Sequence, residues 1–198
     1  MKEPSGNEQS LSGKKVAILA TDGFEQEELV SPRKALEAAG AETEIVSPAG
    51  SKIKAWNKTD WGSEVEVDVT LDSVNADDYD ALLLPGGVMN PDHLRRNPEA
   101  LEFVRAFFET GRPVGAICHG PWTLIDAGVI RGRTVTSYES IQTDLKNAGA
   151  NWVDKEVVVD NGLVTSRKPD DLPAFNRKLI EEVAEGPHRV LATEIDNG

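Results

Sequence analysis

Residues 111–128, GRPVGAICHGPWTLIDAG, hold the chain's single cysteine, Cys118, followed at once by His119, one of three histidines. One cysteine forms no internal disulfide, so the thiol is free for chemistry. A thiol attacks as thiolate, which calls for a site that favours the charge and a neighbour that moves a proton. The alternative is an inert core thiol, since free cysteine is among the most buried residue types. Glu25, in ATDGFEQEEL, is a carboxyl in reach of the same site, with the opposing reading that Glu25, Glu27 and Glu28 are simply acids in a first helical turn. Gly86 and Gly87, closing DALLLPGG, can present bare N–H groups to a developing oxyanion or merely form a turn.

The elements around these residues give them a place. KKVAILA, ETEIVS, YDALLLPGG and RPVGAI read as buried strands, and TDGFEQEELVSPRKALEAAG reads as a loop followed by a helix that restarts at Ser31, with Pro32 in its first position. KIKAW and VEVDVT alternate like a hairpin, and NPEALEFVRAFFETG reads as a helix capped by Asn97. GPWTLIDAG is a short helix directly after the cysteine; RTVTS is a strand, YESIQTDLKNAG a helix, WVDKEVVVDNGLVTS a hairpin turning at Asn161 and Gly162, and PDDLPAFNRKLIEEVAE a last helix. Apolar strands alternating with helices imply an open α/β sandwich with a mostly parallel central sheet covered on both faces. Ligands of such sheets bind beyond the carboxyl ends of the strands, and Cys118 falls at that end, on a strained strand-to-helix elbow. The helix after it turns its positive end to the sulfur, so Cys118 is expected to titrate below about 8.5.

Length and charge narrow the possible roles. A chain of 198 residues is one domain by the usual prior and buries about 70% of its unfolded surface, enough for a closed site. A net charge of −13 repels a phosphate backbone and an anionic bilayer, so neither nucleic acid nor membrane is expected as a direct partner. No apolar run is long enough to span a bilayer, and MKEPSGNEQSLSGKK lacks the apolar centre of a signal peptide, giving a cytoplasmic expectation. Residues 1–12 and 186–198 read as mobile tails flanking a domain at 13–185. His93 and His188 show no metal-ligand spacing with another His or Cys, so neither a metal nor a cofactor is expected.

The segments AICHGP, DALLLPGG, TDGFEQEEL, DAGVIRGRTVTS and NAGANWVDKEVVVDNGLVTSRKPDDLPAF, spread in order from about residue 14 to 183, resemble the PfpI family, in the DJ-one/PfpI branch of the class I glutamine amidotransferase-like superfamily. The resemblance implies a three-layer α/β/α, flavodoxin-like sandwich and a homodimer. It places Cys118 as nucleophile, Glu25 as the carboxyl at its sulfur, His119 as the following histidine, and Asp92 of GGVMNPDHLRR as a carboxylate reaching His119 from a neighbouring subunit. Asp92 stands where the protease-like pattern has Glu, in a segment one residue longer. The His-x-Glu pair of the glutaminases has no match in GPHRVLATE, so that triad is not expected.

Three functions share this thiol. In the first, Cys118 adds to a small carbonyl compound such as methylglyoxal, or acts on early glycation adducts of proteins, and Glu25 carries the proton through an enediol to a hydroxy acid. In the second, Cys118, His119 and Asp92 cleave peptides. The third is a non-catalytic stress protein, redox-sensing or chaperone-like, with an oxidisable Cys118. Trp122, in the turn after the cysteine, is a candidate to line the pocket. Because peptide cleavage needs a competent acid for the leaving amine and carbonyl chemistry needs only the thiol and a carboxyl, the first ranks above the second.

Overall fold

The structure is a computed structural model and describes residues 10–190. In chain order the strands are β1 (Lys15–Leu19), β2 (Glu42–Ser47), β3 (Lys52–Asn57), β4 (Asp60–Glu66), β5 (Val69–Thr70), β6 (Ala81–Leu84), β7 (Val114–Ile117), β8 (Thr134–Val135), β9 (Asn151–Trp152), β10 (Val157–Asp160) and β11 (Leu163–Ser166). The helices are α1 (Gln26–Ala38), α2 (Met89–Leu94), α3 (Pro98–Glu109), α4 (Pro121–Asp126), α5 (Gln142–Asn147) and α6 (Leu172–Glu185). Seven strands form one sheet in the order β10-β11-β7-β6-β1-β2-β5, parallel except for β10, which pairs antiparallel at the edge.

Period-two alternation sends the strand residues to two faces. Ala17 and Leu19 of β1, with Leu82 and Leu84 of β6, pack with Phe103, Phe107 and Leu124 from α3 and α4. Val16, Ile18 and Leu83 pack on the other face with Leu29 and Leu36 of α1 and Phe175 and Leu179 of α6. The expected three-layer α/β/α sandwich is therefore present, with its strands buried on both faces as a parallel sheet requires.

Three local expectations need correction. Helix α1 does not restart at Ser31 but runs unbroken from Gln26 with Pro32 inside it. Pro32 is buried on the same stripe as Leu29 and Leu36, and that burial outweighs the hydrogen bond its missing N–H removes from the Glu28 carbonyl. VEVDVT is split, since Val65 and Glu66 end the β3–β4 hairpin whereas Val69 and Thr70 form the short edge strand β5. The inner ends of the two expected tails belong to the folded body: Leu11 is fully buried, and the His188 N–H donates to the Gly111 carbonyl at 2.7 Å. Residues 1–9 and 191–198 of those tails lie outside the described residues.

Candidate active site

Cys118 is the residue after β7, at the carboxyl end of the sheet, and its φ of 61° places it in the left-handed region that side-chain-bearing residues avoid. Its neighbours clamp it there. The Cys118 N–H donates to the Ser166 carbonyl at 3.0 Å, and its own carbonyl accepts from the Tyr138 N–H at 2.9 Å. This is the elbow expected from the sequence, and it brings together two side chains that diverge on a regular helix. Cys118 Sγ lies 3.2 Å from His119 Nδ1. The imidazole lies nearly parallel to the Tyr138 ring, 4.9 Å between centroids, and meets the Trp122 ring edge-on at 5.1 Å. Its Nε2 lies 3.1 Å from Ser140 Oγ. Trp122 is itself held by a 2.8 Å hydrogen bond from its Nε1 to Asp144 and by the Arg95 guanidinium over its ring.

The carboxyl at the sulfur is Glu28, not Glu25. Because α1 starts at Gln26, Glu25 occupies the position before the helix and turns to the β3–β4 hairpin, where its Oε1 accepts from the Lys58 N–H at 3.3 Å. Glu28, one helical turn on, falls on the buried stripe with Leu29, Pro32 and Leu36 and is completely enclosed. One of its oxygens accepts from the Gly86 N–H at 2.8 Å, and the other, Oε1, has no hydrogen-bond partner among the described residues. The carboxyl and the thiol act on each other's ionisation.

The glycines divide the work differently than expected. The Gly86 N–H is engaged by Glu28, so it is not free for an oxyanion, whereas the Gly87 N–H faces the sulfur and the carboxyl. Gly87 has a φ of 77°, and a Cβ there would stand 2.3 Å from the Gly23 carbonyl oxygen, so only glycine fits. Fully buried Asn90 ties this loop to the end of β1. Its Oδ1 accepts from Thr21 N–H at 2.8 Å, and its Nδ2 donates to the carbonyls of Pro85 and Gly86 at 3.0 and 3.2 Å.

Electrostatics reverse the expectation of a low-pKa thiol. Burial, then the charge of Glu28, pushes the Cys118 thiol well above its usual range, and the N–H groups of Gly87 and His119 only partly oppose this. Burial likewise pushes the Glu28 carboxyl up from 4.5 to about 8, with Glu25 adding to the rise. His119 is held below its usual value by burial, with Asp144 opposing. The α4 dipole is thus outweighed by exclusion of water, and at neutral pH thiol, carboxyl and imidazole are mainly neutral.

Asp92 lies exposed on α2, and its carboxylate makes no hydrogen bond or ion pair among the described residues. Within one chain, the group at His119 Nε2 is Ser140. Glu182, Glu185 and His188 bring ligand-type atoms within 4.8 Å of one another, a grouping the His/Cys spacing did not anticipate. It lies by Gly111, before β7, at the opposite end of that strand from Cys118; there Glu182 and His188 already face each other at 2.8 Å. No described helix is long and apolar enough to cross a membrane.

Ser140, Tyr138 and Glu28 are the members of the site that the sequence reading missed. For Glu28 a signal existed, namely a carboxyl in phase with the apolar stripe of its helix. Ser140 and Tyr138 sit in irregular chain after β8, where no periodicity marks a face.

A cysteine on a strained elbow beyond a parallel strand, with a buried glutamate across from it, stands here on a class I glutamine amidotransferase-like, flavodoxin-like fold. Residues 14–182 match the DJ-1/PfpI family, and the chain belongs to that family. It is 49% identical over 170 residues to general stress protein 18 of Bacillus subtilis, covering 85% of this chain and 96% of that protein. Protein/nucleic acid deglycase 2 of Escherichia coli is 48% identical over 168 residues, covering 84% and 96%. Among solved structures, a two-domain protein of Anabaena variabilis with a DJ-1/ThiJ/PfpI-like and a ferritin-like domain superposes with a TM-score of 0.81 at 36% identity, covering 93% of this chain and 52% of that one.

Proposed function

We propose that this protein is a cytoplasmic, homodimeric enzyme that clears reactive carbonyls in a glyoxalase- or deglycase-type reaction. Cys118 is its nucleophile and Glu28 its proton carrier. The observation that carries the reading is the Glu28 carboxyl: fully buried at the thiol, anchored through one oxygen, and free at the other. An ordinary carboxylate is a poor base for a thiol, being several pH units too acidic; one pushed up to about 8 is a far stronger base, set against a thiol that burial raises as well.

With methylglyoxal as substrate, Glu28 as carboxylate takes the Cys118 proton while sulfur bonds to the aldehyde carbon, and the same proton passes to the aldehyde oxygen to complete a hemithioacetal. Glu28 then removes the hydrogen on that carbon to form an enediolate, the hydroxyl proton passes to the neighbouring oxygen, and Glu28 returns its proton to the neighbouring carbon. The first carbon is oxidised and the second reduced, leaving a thioester of the hydroxy acid. Water hydrolyses it, releasing the acid and the thiol. With an early glycation adduct, the thiolate displaces the amine from the carbinol carbon, and the proton Glu28 took from the thiol passes to the leaving nitrogen. The Gly87 N–H faces the developing charge at the sulfur.

The test is steady-state turnover of methylglyoxal by wild type, Cys118→Ser and Glu28→Gln, with the hydroxy acid quantified and a peptide panel run in parallel. Cys118→Ser should abolish product, and folded Glu28→Gln should lose roughly a hundredfold or more. Near-wild-type turnover by either variant refutes the reading, and peptide cleavage without carbonyl turnover transfers it to the peptidase class.

A further inference from the structure

His119 has two ring nitrogens and a different partner at each, the Cys118 sulfur at Nδ1 and the Ser140 hydroxyl at Nε2. The chemistry of the second partner bears on what the first receives. A carboxylate can only accept, so it keeps a proton on Nε2 and makes Nδ1 of a neutral ring an acceptor. A hydroxyl can accept or donate, and donation is the arrangement that leaves a proton for the sulfur. With Ser140 O–H given to Nε2, the single proton of the neutral imidazole is on Nδ1, aimed at sulfur 3.2 Å away. The ring cannot easily turn from this arrangement, because Tyr138 lies along one face and Trp122 against it from another direction.

We propose that Ser140 is a positioning residue that fixes His119 in its Nδ1–H tautomer, making the imidazole a neutral hydrogen-bond donor to the Cys118 thiolate within a single chain. His119 then stabilises the sulfur anion without itself being charged. The arrangement supplies what the buried thiol lacks. Burial and Glu28 both oppose its ionisation, and a donor at 3.2 Å favours it. The charged and titratable groups around the pair are Glu28 from α1, with Glu25 behind it, Asp144 from α5, and Arg95, just after α2, on the far side of Trp122. The proposal rests on the reading of Cys118 as the reacting thiol, but its first readout does not depend on turnover.

That readout is 15N-histidine NMR of the full chain near pH 7, with the His119 signals assigned by their loss in His119→Gln. Wild type should show the Nδ1–H tautomer. Ser140 is exposed in a short 3-10 turn, so Ser140→Ala should remain folded. In this variant the Nε2–H tautomer should become populated, and the pH midpoint of Cys118 alkylation by iodoacetamide should move up by at least about half a unit. Ser140→Thr, which keeps the hydroxyl, should restore both. An Nε2–H tautomer in wild type overturns the proposal, as does a Ser140→Ala spectrum and alkylation profile identical to wild type. A profile moved by Asp92→Ala and not by Ser140→Ala also overturns it and gives the orienting role to a carboxylate. The expected tautomer changes in a protein without carbonyl turnover would instead uphold the Ser140 inference while sinking the proposed reaction.

Discussion

Replacing Glu28 by glutamine should raise the stability of the protein, and by an amount that grows with pH. The wild-type carboxyl is fully enclosed and titrates at about 8 when folded, against 4.5 as an ordinary glutamate. Between those values the folded chain holds a proton that the unfolded chain has released. Stability from this group is therefore complete below pH 4.5, falls as pH rises, and is lost once pH passes about 8. At about 1.4 kcal/mol per pH unit, the interval amounts to roughly 5 kcal/mol. Glutamine fits the same place without that proton linkage: its amide oxygen accepts from the Gly86 N–H and its amide nitrogen points to the sulfur. Urea unfolding of wild type and Glu28→Gln at pH 5, 6, 7 and 8 gives the test. The difference between the two cancels the groups that titrate alike in both, such as Glu182, and wild-type Cys118, held well above its usual range, stays protonated. The gap should widen in favour of glutamine by on the order of 4 kcal/mol from pH 5 to 8. Two stability curves running parallel across that range would show that the Glu28 carboxyl is not raised, and would remove the base from the proposed mechanism.

The kcat/KM for methylglyoxal should climb about tenfold per pH unit below about 8 and level off near that value, since the carboxylate is the active form; a flat profile from pH 6 would indicate a thiol already ionised. Gly87→Ala, which forces a Cβ to 2.3 Å from the Gly23 oxygen at a φ of 77°, should lose roughly 2–4 kcal/mol by urea unfolding and most turnover. Asn90→Ala leaves the Thr21 N–H and the Pro85 carbonyl without partners and the Gly86 carbonyl with the Glu25 N–H alone, and should cost about 3 kcal/mol, with activity falling further than stability accounts for because the Gly86 peptide that anchors Glu28 loses support. In a refolded equimolar mixture of Asp92→Ala and Cys118→Ala chains, a partner-supplied Asp92 would restore about a quarter of wild-type sites; an impaired Asp92→Ala protein with no such rescue places the aspartate outside the partner's site.

The sequence reading located the thiol correctly because strand and helix boundaries follow from Gly, Pro and apolar periodicity, and those alone set the elbow after β7. It misjudged the carboxyl for a related reason. Pro32 reads as a helix start, which removed the first turn of α1 and with it the phase that puts Glu28 on the buried stripe and Glu25 off it. The thiol's ionisation was misread because a dipole is visible in a sequence but the degree of enclosure is not; Cys118 is 7% exposed, and exclusion of water exceeds the pull of a six-residue helix. Ser140 escaped notice because its contact with His119 is made 21 residues on, beyond α4 and β8, from a short turn with no pattern to register the two.

The left-handed backbone makes Cys118 a point where the native state is held above its local minimum. Glycine is the residue that suits this corner best, so Cys118→Gly should yield an inert protein that is more stable than Cys118→Ala, a separation of folding fitness from chemical competence at one atom, Cβ. The same corner also gives directionality to wear. Damage that loosens the Tyr138 segment, the clamp on Cys118 that lies outside the central sheet, would let the peptide relax toward ordinary dihedrals and swing the sulfur away from Glu28 and His119 while the sheet core remained intact. A population of molecules ageing in this way would lose reactive thiol long before it lost secondary structure.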